Sequence, residues 1–351
     1  MNSFRSVSVI TDSFICFKDD KYVLSTRGSN ILFFLIAKNI QKKYGAHFEI
    51  YQPGFNNYKF KFSNLLINVI KSKNFVDYKR SLNGINFDTD IVHYNNIDLF
   101  NEKYKSKYVT ATIHTNAFLE KESANKWLKG IIKQIDKVIV VNTEYLKEFK
   151  SVKLIRNGVP ENTFKYDLSN RREFPFFNIL FPNLDAPKKN RRFAIDLIRE
   201  LNNRNKYKFR LLLTGEQENL DLQKDWYEFV GQKMYGEEMQ TLYRESFITI
   251  IPSISESCSL CALESMSSGT PVIANNIYGI SDYIKNDFNG YLVSVKDMDK
   301  WISQIYTLIE DRKEYRRIQQ NARTTIVKEY NLERMANEYY LTWLNIFNEN
   351  N

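Results

Sequence analysis

Short runs of β-branched and aromatic residues alternate with helix-length amphipathic segments along most of the chain, and few architectures accept that order. Strand, helix and strand in succession build parallel sheets with helices on both faces, so the expected class is α/β. In the first half, strands are expected at Val7–Thr11, His47–Tyr51, Asp90–His93, Tyr108–His114, Lys137–Val141 and Lys153–Arg156. Helices are expected near Asn30–Lys43, Asn64–Lys71, Glu122–Gln134 and Thr143–Lys150. Strands recur at Phe177–Phe181, Phe209–Thr214, Glu228–Val230, Phe247–Pro252, Pro271–Ala274 and Gly290–Val293, and three helices close the chain.

The 351 residues exceed one ordinary domain and suit two. Asn157-Gly158-Val159-Pro160 stops the last strand of the first half, and a polar stretch leads from it to Pro175. The expected domains are therefore residues 1–165 and 174–330, with ligands at the C-terminal ends of both sheets. Lys and Arg number 50 against 41 Asp and Glu, a net charge of +9. That sign suits an anionic partner: a nucleotide, a phospholipid surface or a nucleic acid. The longest apolar run, Ile31 to Ala37, is far short of the roughly 20 residues that cross a bilayer, and no signal pattern opens the chain. A cytosolic location is expected. Three cysteines and three histidines supply neither a disulfide framework nor a His-rich metal site.

The most informative stretch is Pro252-Ser-Ile-Ser-Glu256-Ser-Cys-Ser-Leu-Cys-Ala-Leu-Glu264-Ser-Met-Ser-Ser-Gly269-Thr-Pro271-Val-Ile-Ala274. A strand ends at Pro252, a turn of small residues follows, and a helix is expected from about Ser259 to Gly269. Its N-terminus favours an anion, because unpaired amides and the helix dipole both face outward there. Glu256 lies on the loop before those amides, and Glu264 about a turn and a half into the helix. Two such carboxylates could hold the two ends of a nucleoside diphosphate sugar; they could equally be a solvated loop glutamate and a helix-surface glutamate.

This stretch resembles the signature of the GT-B glycosyltransferases of family 4: two glutamates separated by seven residues, a small-residue turn and a Ser-Gly-Thr-Pro-Val approach to the next strand. The likeness extends to Leu211-Leu-Leu-Thr-Gly215, Tyr243-Arg-Glu-Ser-Phe-Ile-Thr-Ile-Ile-Pro252, Asn289-Gly-Tyr-Leu-Val293, Asp136–Tyr145 and Ile155–Pro160, and it is strongest from about residue 130 to 295. It implies two Rossmann-like domains facing across a cleft, the final helix (331–351) packing back on the first. It further implies transfer of a sugar from a nucleoside diphosphate sugar, with retention and without a metal or other cofactor.

Carried over residue by residue, the resemblance gives Glu264 the donor ribose, Glu256 the transferred sugar, and the amides of Ser257, Cys258, Ser259 and Leu260 the diphosphate. Lys189 matches the lysine that neutralises the leaving diphosphate, with Lys188 next door as the competing register. The usual arginine position falls on Leu184, so Lys188, Arg191 or Arg192 would supply a second cation. His114, at a strand's C-terminal end, matches a histidine that contacts sugar and acceptor, whereas His93 reads as a structural group. Gly28 matches a glycine loop near the phosphates. Cys258-Ser-Leu-Cys261 lacks a second ligand pair for a metal, although a thiol at a helix N-terminus could be redox-sensitive.

Residues 51–80 carry Lys59, Lys61, Lys71, Lys73, Lys79 and Arg80 among Phe55, Tyr58, Phe60, Phe62, Phe75 and Tyr78. This segment could lie on an anionic membrane surface, line a groove for a polyanionic acceptor, or be a solvated helix face. The expected acceptor is a glycan or a lipid-linked hydroxyl in surface polysaccharide assembly, at the inner face of the membrane. Two alternatives are a phage-type enzyme glycosylating DNA bases, although a nucleic-acid partner is disfavoured, and a GT-B module that binds without turnover.

Overall fold

The computed structural model describes residues 4–349 except 13, 19–20, 25–27, 101–107, 167–175, 183–186, 216–217, 232 and 234. Its contacts divide the chain into residues 1–157 with 332–351, and residues 158–331.

The first unit contains β1 (Ser6–Ile10), a short hairpin of β2 (Ile15–Lys18) and β3 (Lys21–Leu24), α1 (Gly28–Tyr44), β4 (His47–Gly54), β5 (Tyr58–Phe62) and β6 (Leu65–Lys71). It continues with α2 (Phe75–Ser81), β7 (Ile91–Tyr94), β8 (Val109–Ile113), α3 (Ala117–Glu120), α4 (Glu122–Ile131), β9 (Lys137–Val140), α5 (Glu144–Glu148) and β10 (Lys153–Leu154). The main sheet runs β10-β9-β8-β7-β1-β4-β6-β5 and is parallel except for the edge strand β5. Fully buried Val7, Val9, Ile50, Ile91 and Ile139 explain why these segments form a central sheet: both faces are covered, so apolar β-branched residues recur without alternation.

Residues 64–71, expected as a helix, are a strand instead. Leu65, Ile67 and Val69 are buried, and Ser63 and Asn64 turn the chain at φ 51° and 69°, so β5 and β6 form a hairpin. Alternation with period two outweighed the apparent helical spacing, and the lysines of residues 59–73 sit on a sheet edge and its turns.

The second unit holds β11 (Phe177–Phe181), α6 (Arg191–Asn203), β12 (Phe209–Leu213), β13 (Tyr227–Phe229), α7 (Glu237–Glu245), β14 (Ile248–Ile251), α8 (Leu260–Ser267), β15 (Val272–Asn275), β16 (Tyr291–Val293), α9 (Met298–Glu310) and α10 (Arg312–Glu329). Its all-parallel sheet runs β13-β12-β11-β14-β15-β16. Val159 and Phe164 are already buried in this unit's core, which puts the boundary at Asn157, ahead of the polar stretch. The final helix, α11 (Leu332–Glu349), returns to the first unit. Tyr339 and Trp343 are fully buried there, Tyr44 stacks on Tyr340 with ring centroids 3.7 Å apart, and Lys43 Nζ meets Glu333 at 2.7 Å. Truncating Trp343 to alanine would cost about 3–5 kcal/mol.

Candidate active site

In the second sheet the strand order reverses between β11 and β14, and such a switch leaves a crevice at the strands' C-terminal ends. Two loops leave there and are tied together. Ile254 N–H donates to Lys188 O at 2.8 Å, and Asn190 Nδ2 donates to Pro252 O at 3.2 Å. Asn190 itself adopts φ 59°, a left-handed turn that asparagine tolerates and that starts α6. The tie brings Lys189 Nζ to 2.5 Å from Glu256 Oε1, which also accepts from Ser253 Oγ at 2.9 Å. Glu256 is buried and the Lys189 side chain about one-fifth exposed, so the pair is partly desolvated. Lys188 is exposed, and its side chain makes no such contact, so the register falls on Lys189.

Gly279 supports the Glu256 loop from beneath. It sits at φ +81°, and a Cβ there would lie 2.1 Å from Glu256 O and 2.8 Å from Ser257 O. Sequence reading gave no role to this glycine, yet an Ile-Tyr-Gly step soon after a strand was a visible turn signal.

The α8 helix begins one residue later than expected, at Leu260, with buried Ser259 at the N-cap. Ser259 makes no side-chain capping bond, which leaves the first-turn amides without a partner from the cap. Ser257 and Cys258 precede it on the loop and are partly exposed. Glu264 is buried in the helix and accepts from Tyr243 Oη at 2.9 Å. Burial pushes its carboxyl up to about 8, the Tyr243 bond opposing this in part. It is therefore no surface glutamate, and neither is Glu256. Gly269 ends the helix at φ +74°, packed so closely on the Tyr166 ring that a Cβ would lie 1.9 Å from it.

Of the candidate second cations, Arg191 is one-fifth exposed and forms a close ion pair with Glu218. Arg192 points outward and pairs with Asp196 along the helix at 3.0 Å. Leu184 lies outside the described residues. Burial pushes the Cys261 thiol up to about 12, with Glu264 adding to this and Lys189 opposing it. Among the described residues, no three of His, Cys, Asp and Glu converge as metal ligands.

In the first unit, strand order reverses between β1 and β7, and a polar cluster of amides and an imidazole, ending on Asp12, fills that end. His114, just past β8 and partly exposed, bonds through Nε2 to Asn95 Oδ1 at 3.2 Å. Asn95 Nδ2 donates to Asn30 Oδ1 at 3.1 Å, and Asn30 Nδ2 donates to Asp12 Oδ1 at 2.8 Å. Thr11 Oγ1 also donates to Asn30 Oδ1, at 2.9 Å. Burial lowers the His114 imidazole to about 4, although Asp12 pulls the other way, so it is neutral at pH 7. His93 is fully buried, holds Thr110 and Thr112 at 2.9 and 3.2 Å, and stacks on Phe33, as a structural histidine would. Gly28 is the first residue of α1, two positions before Asn30. Asp12, Asn30 and Asn95 escaped sequence reading because a lone carboxylate and single amides carry no motif; the available signal was their position at strand ends and a helix start.

Residues 175–325 match the family model described as glycosyl transferases group 1. The match falls within the second unit, which is similar to group 1 glycosyltransferases over most of its length. Within the curated relatives, the Escherichia coli UDP-Gal:alpha-D-GlcNAc-diphosphoundecaprenol alpha-1,3-galactosyltransferase is 30% identical over 95 residues, 27% of this chain and 24% of that protein. The chain thus spans about a quarter of the length of the curated relatives it matches. Solved structures extend the likeness to both units. Sucrose-phosphate synthase from Thermosynechococcus elongatus superposes with TM-score 0.78 at 16% identity, covering 98% of this chain and 100% of that one. Anabaena HepE, in complex with UDP and glucose, gives 0.76 at 14% identity, covering 96% and 99%. The two units therefore have the two-domain α/β GT-B fold, with largely parallel sheets in both halves. The Lys189–Glu256 pair and Glu264 all fall inside the matched residues.

Proposed function

We propose that this chain is a retaining glycosyltransferase of the family 4 type. It would move a sugar from a nucleoside diphosphate donor to a hydroxyl of a glycan or lipid-linked acceptor in surface polysaccharide assembly. The observation that carries the reading is the Lys189–Glu256 pair beside the start of α8, with Glu264 buried inside that helix. An ammonium and first-turn amides suit a diphosphate, and each carboxylate suits sugar hydroxyls. Support also comes from the UDP and glucose bound to HepE and from the diphosphoundecaprenol substrate in the name of the E. coli relative.

In this mechanism the bond from the anomeric carbon to the diphosphate breaks, and the acceptor oxygen bonds to that carbon on the same face. The acceptor proton passes to the departing phosphate oxygen, while Lys189 and the α8 amides stabilise the negative charge that develops. Glu256 orients the transferred sugar, and neutral His114 bonds a hydroxyl. No metal or other cofactor takes part.

The acceptor side rests on the outer edge of the first unit. Phe55 is 93% exposed, and Tyr58, Phe75 and Val76 are also exposed, with Lys59, Lys71 and Lys73 around them. Aromatic side chains among lysines suit an anionic bilayer surface and a lipid-linked acceptor. Among the described residues no helix is long and apolar enough to cross a membrane.

The test is a thermal-shift screen against UDP, GDP, ADP, CMP and their sugar conjugates in EDTA, beside Glu264→Ala. A nucleoside diphosphate that raises Tm for the native chain and not for the variant identifies the donor base. No response to any nucleotide overturns the proposal. Strong salt-sensitive binding to duplex DNA would favour the DNA-modifying alternative, and donor binding without hydrolysis or transfer the non-catalytic one.

A further inference from the structure

We infer that Asp12, Asn30 and Asn95 form a one-way hydrogen-bond relay that locks neutral His114 in the Nε2–H tautomer, leaving Nδ1 to accept a hydrogen bond from a ligand hydroxyl. The inference rests on the proposed function for the identity of that hydroxyl, a sugar's, and on geometry for everything else. An Asp12 carboxylate can only accept, so the Asn30 amide must present its Nδ2–H to it, at 2.8 Å. Asn30 Oδ1 then faces the cluster and takes donors from Thr11 Oγ1 and Asn95 Nδ2. With its Nδ2 committed, Asn95 offers Oδ1 to the imidazole, and His114 Nε2 at 3.2 Å must carry the hydrogen.

Turning one amide alone would set two acceptor oxygens against each other, Asn30 Oδ1 against Asp12 or Asn95 Oδ1 against Asn30 Oδ1, and Asn30 and Asn95 are fully buried, where no water could relieve them. The direction is therefore set by the acceptor-only group at its end, Asp12, three hydrogen bonds from the imidazole. Among the described residues, Nδ1 of His114 has no partner. A ligand at that point must donate, which fits a sugar hydroxyl and rejects a carbonyl, a carboxylate or a phosphate oxygen. Asp12, Asn30 and Asn95 are positioning residues in this scheme.

The full chain labelled with 15N-histidine tests the relay directly, since His47, His93 and His114 are its three histidines. His114→Gln assigns the signals. The native protein should show His114 protonated at Nε2 and bare at Nδ1 near pH 7. Asp12→Asn should give a mixture of tautomers and lower kcat by about tenfold, with donor KM little changed. The double variant Asp12→Asn/Asn95→Asp should return the Nε2–H form, because an acceptor-only carboxylate then adjoins the ring. An Nδ1–H tautomer in the native chain overturns the relay, and so does an unchanged tautomer in both Asp12→Asn and Asn95→Ala. Tautomers are read without turnover. A chain that transfers no sugar but keeps Nε2–H therefore sinks the proposed function and not the relay.

Discussion

The two units solve the same topological problem with opposite electrostatics. Each places polar groups where its strand order reverses, but the second unit gathers charges, Lys189 on Glu256 beside a helix N-terminus, whereas the first gathers neutral amides around a neutral imidazole. An ion pair whose lysine side chain is one-fifth exposed can be opened by a stronger anion, which suits a diphosphate that must be held and released. A buried amide chain has direction and no net charge, which suits choosing between donors and acceptors on a sugar. The contrast separates energy from orientation: charge suits the stabilisation of a leaving group, and a directed chain of amides suits a choice between hydrogen-bond donors and acceptors.

Substitution of the charged group should give the largest effect. Lys189→Ala should lower sugar transfer about 10²–10³-fold, measured as kcat with saturating donor. His114→Gln should cost less, since glutamine can still accept a hydrogen bond. If His114→Gln proves the more damaging, the division of labour between the units is reversed.

Next in size is the proton on Glu264. Its carboxyl is raised to about 8 when folded and titrates near 4.5 when unfolded. The stability this proton contributes is complete below about pH 4.5 and is lost as pH rises through about 8. Glu264→Gln should remove that slope, so its Tm relative to the native chain should rise by several degrees between pH 5 and 8.5, while UDP-type shifts vanish. An identical pH slope in both proteins would assign the slope elsewhere. His93 and His114, held down to about 3 and 4, act at the other end. Their stabilisation is complete above about pH 6.5 and is lost as pH falls towards those values.

A smaller effect tests the scaffold of the charged site alone. Gly279→Ala must fit a methyl 2.1 Å from Glu256 O at a left-handed φ, and should cost about 1–3 kcal/mol in chemical denaturation. It should also weaken the Lys189–Glu256 geometry without touching the His114 tautomer. A shifted tautomer would mean that the two groups are coupled. The smallest expected change is Phe55→Ser, which should lower binding to anionic vesicles a few-fold and leave transfer to a soluble acceptor unaltered. Undiminished vesicle binding would move the membrane contact away from this edge.

Much of the second unit was readable in the chain because its strands are continuous apolar runs closed by small-residue turns. Phe177–Phe181 appears with the expected bounds, and Phe209–Leu213 within one residue. In the first unit the hairpin β5–β6 was misread. Residues 64–71 satisfy both periods over so short a length, and pairing with β4 decided between them. The strands β2 and β3 and the helix α2 were not foreseen, being too short or too polar to stand out.

The sequence by itself determined the fold class, the order of the second unit's strands, and the spacing of Glu256 and Glu264, since these depend on local periodicity and on residues close in the chain. Tertiary structure decided that Lys189 rather than Lys188 meets Glu256, 67 residues away, and that Glu264 is buried enough to hold a proton. It also decided that Asn30 lies against Asn95, 65 residues on, in a chain of amides that points at His114. Those facts depend on which strand ends meet at a sheet's reversal point and on how much water their packing excludes. Neither is encoded in any one segment, because each is set by segments that meet only after the sheet has formed.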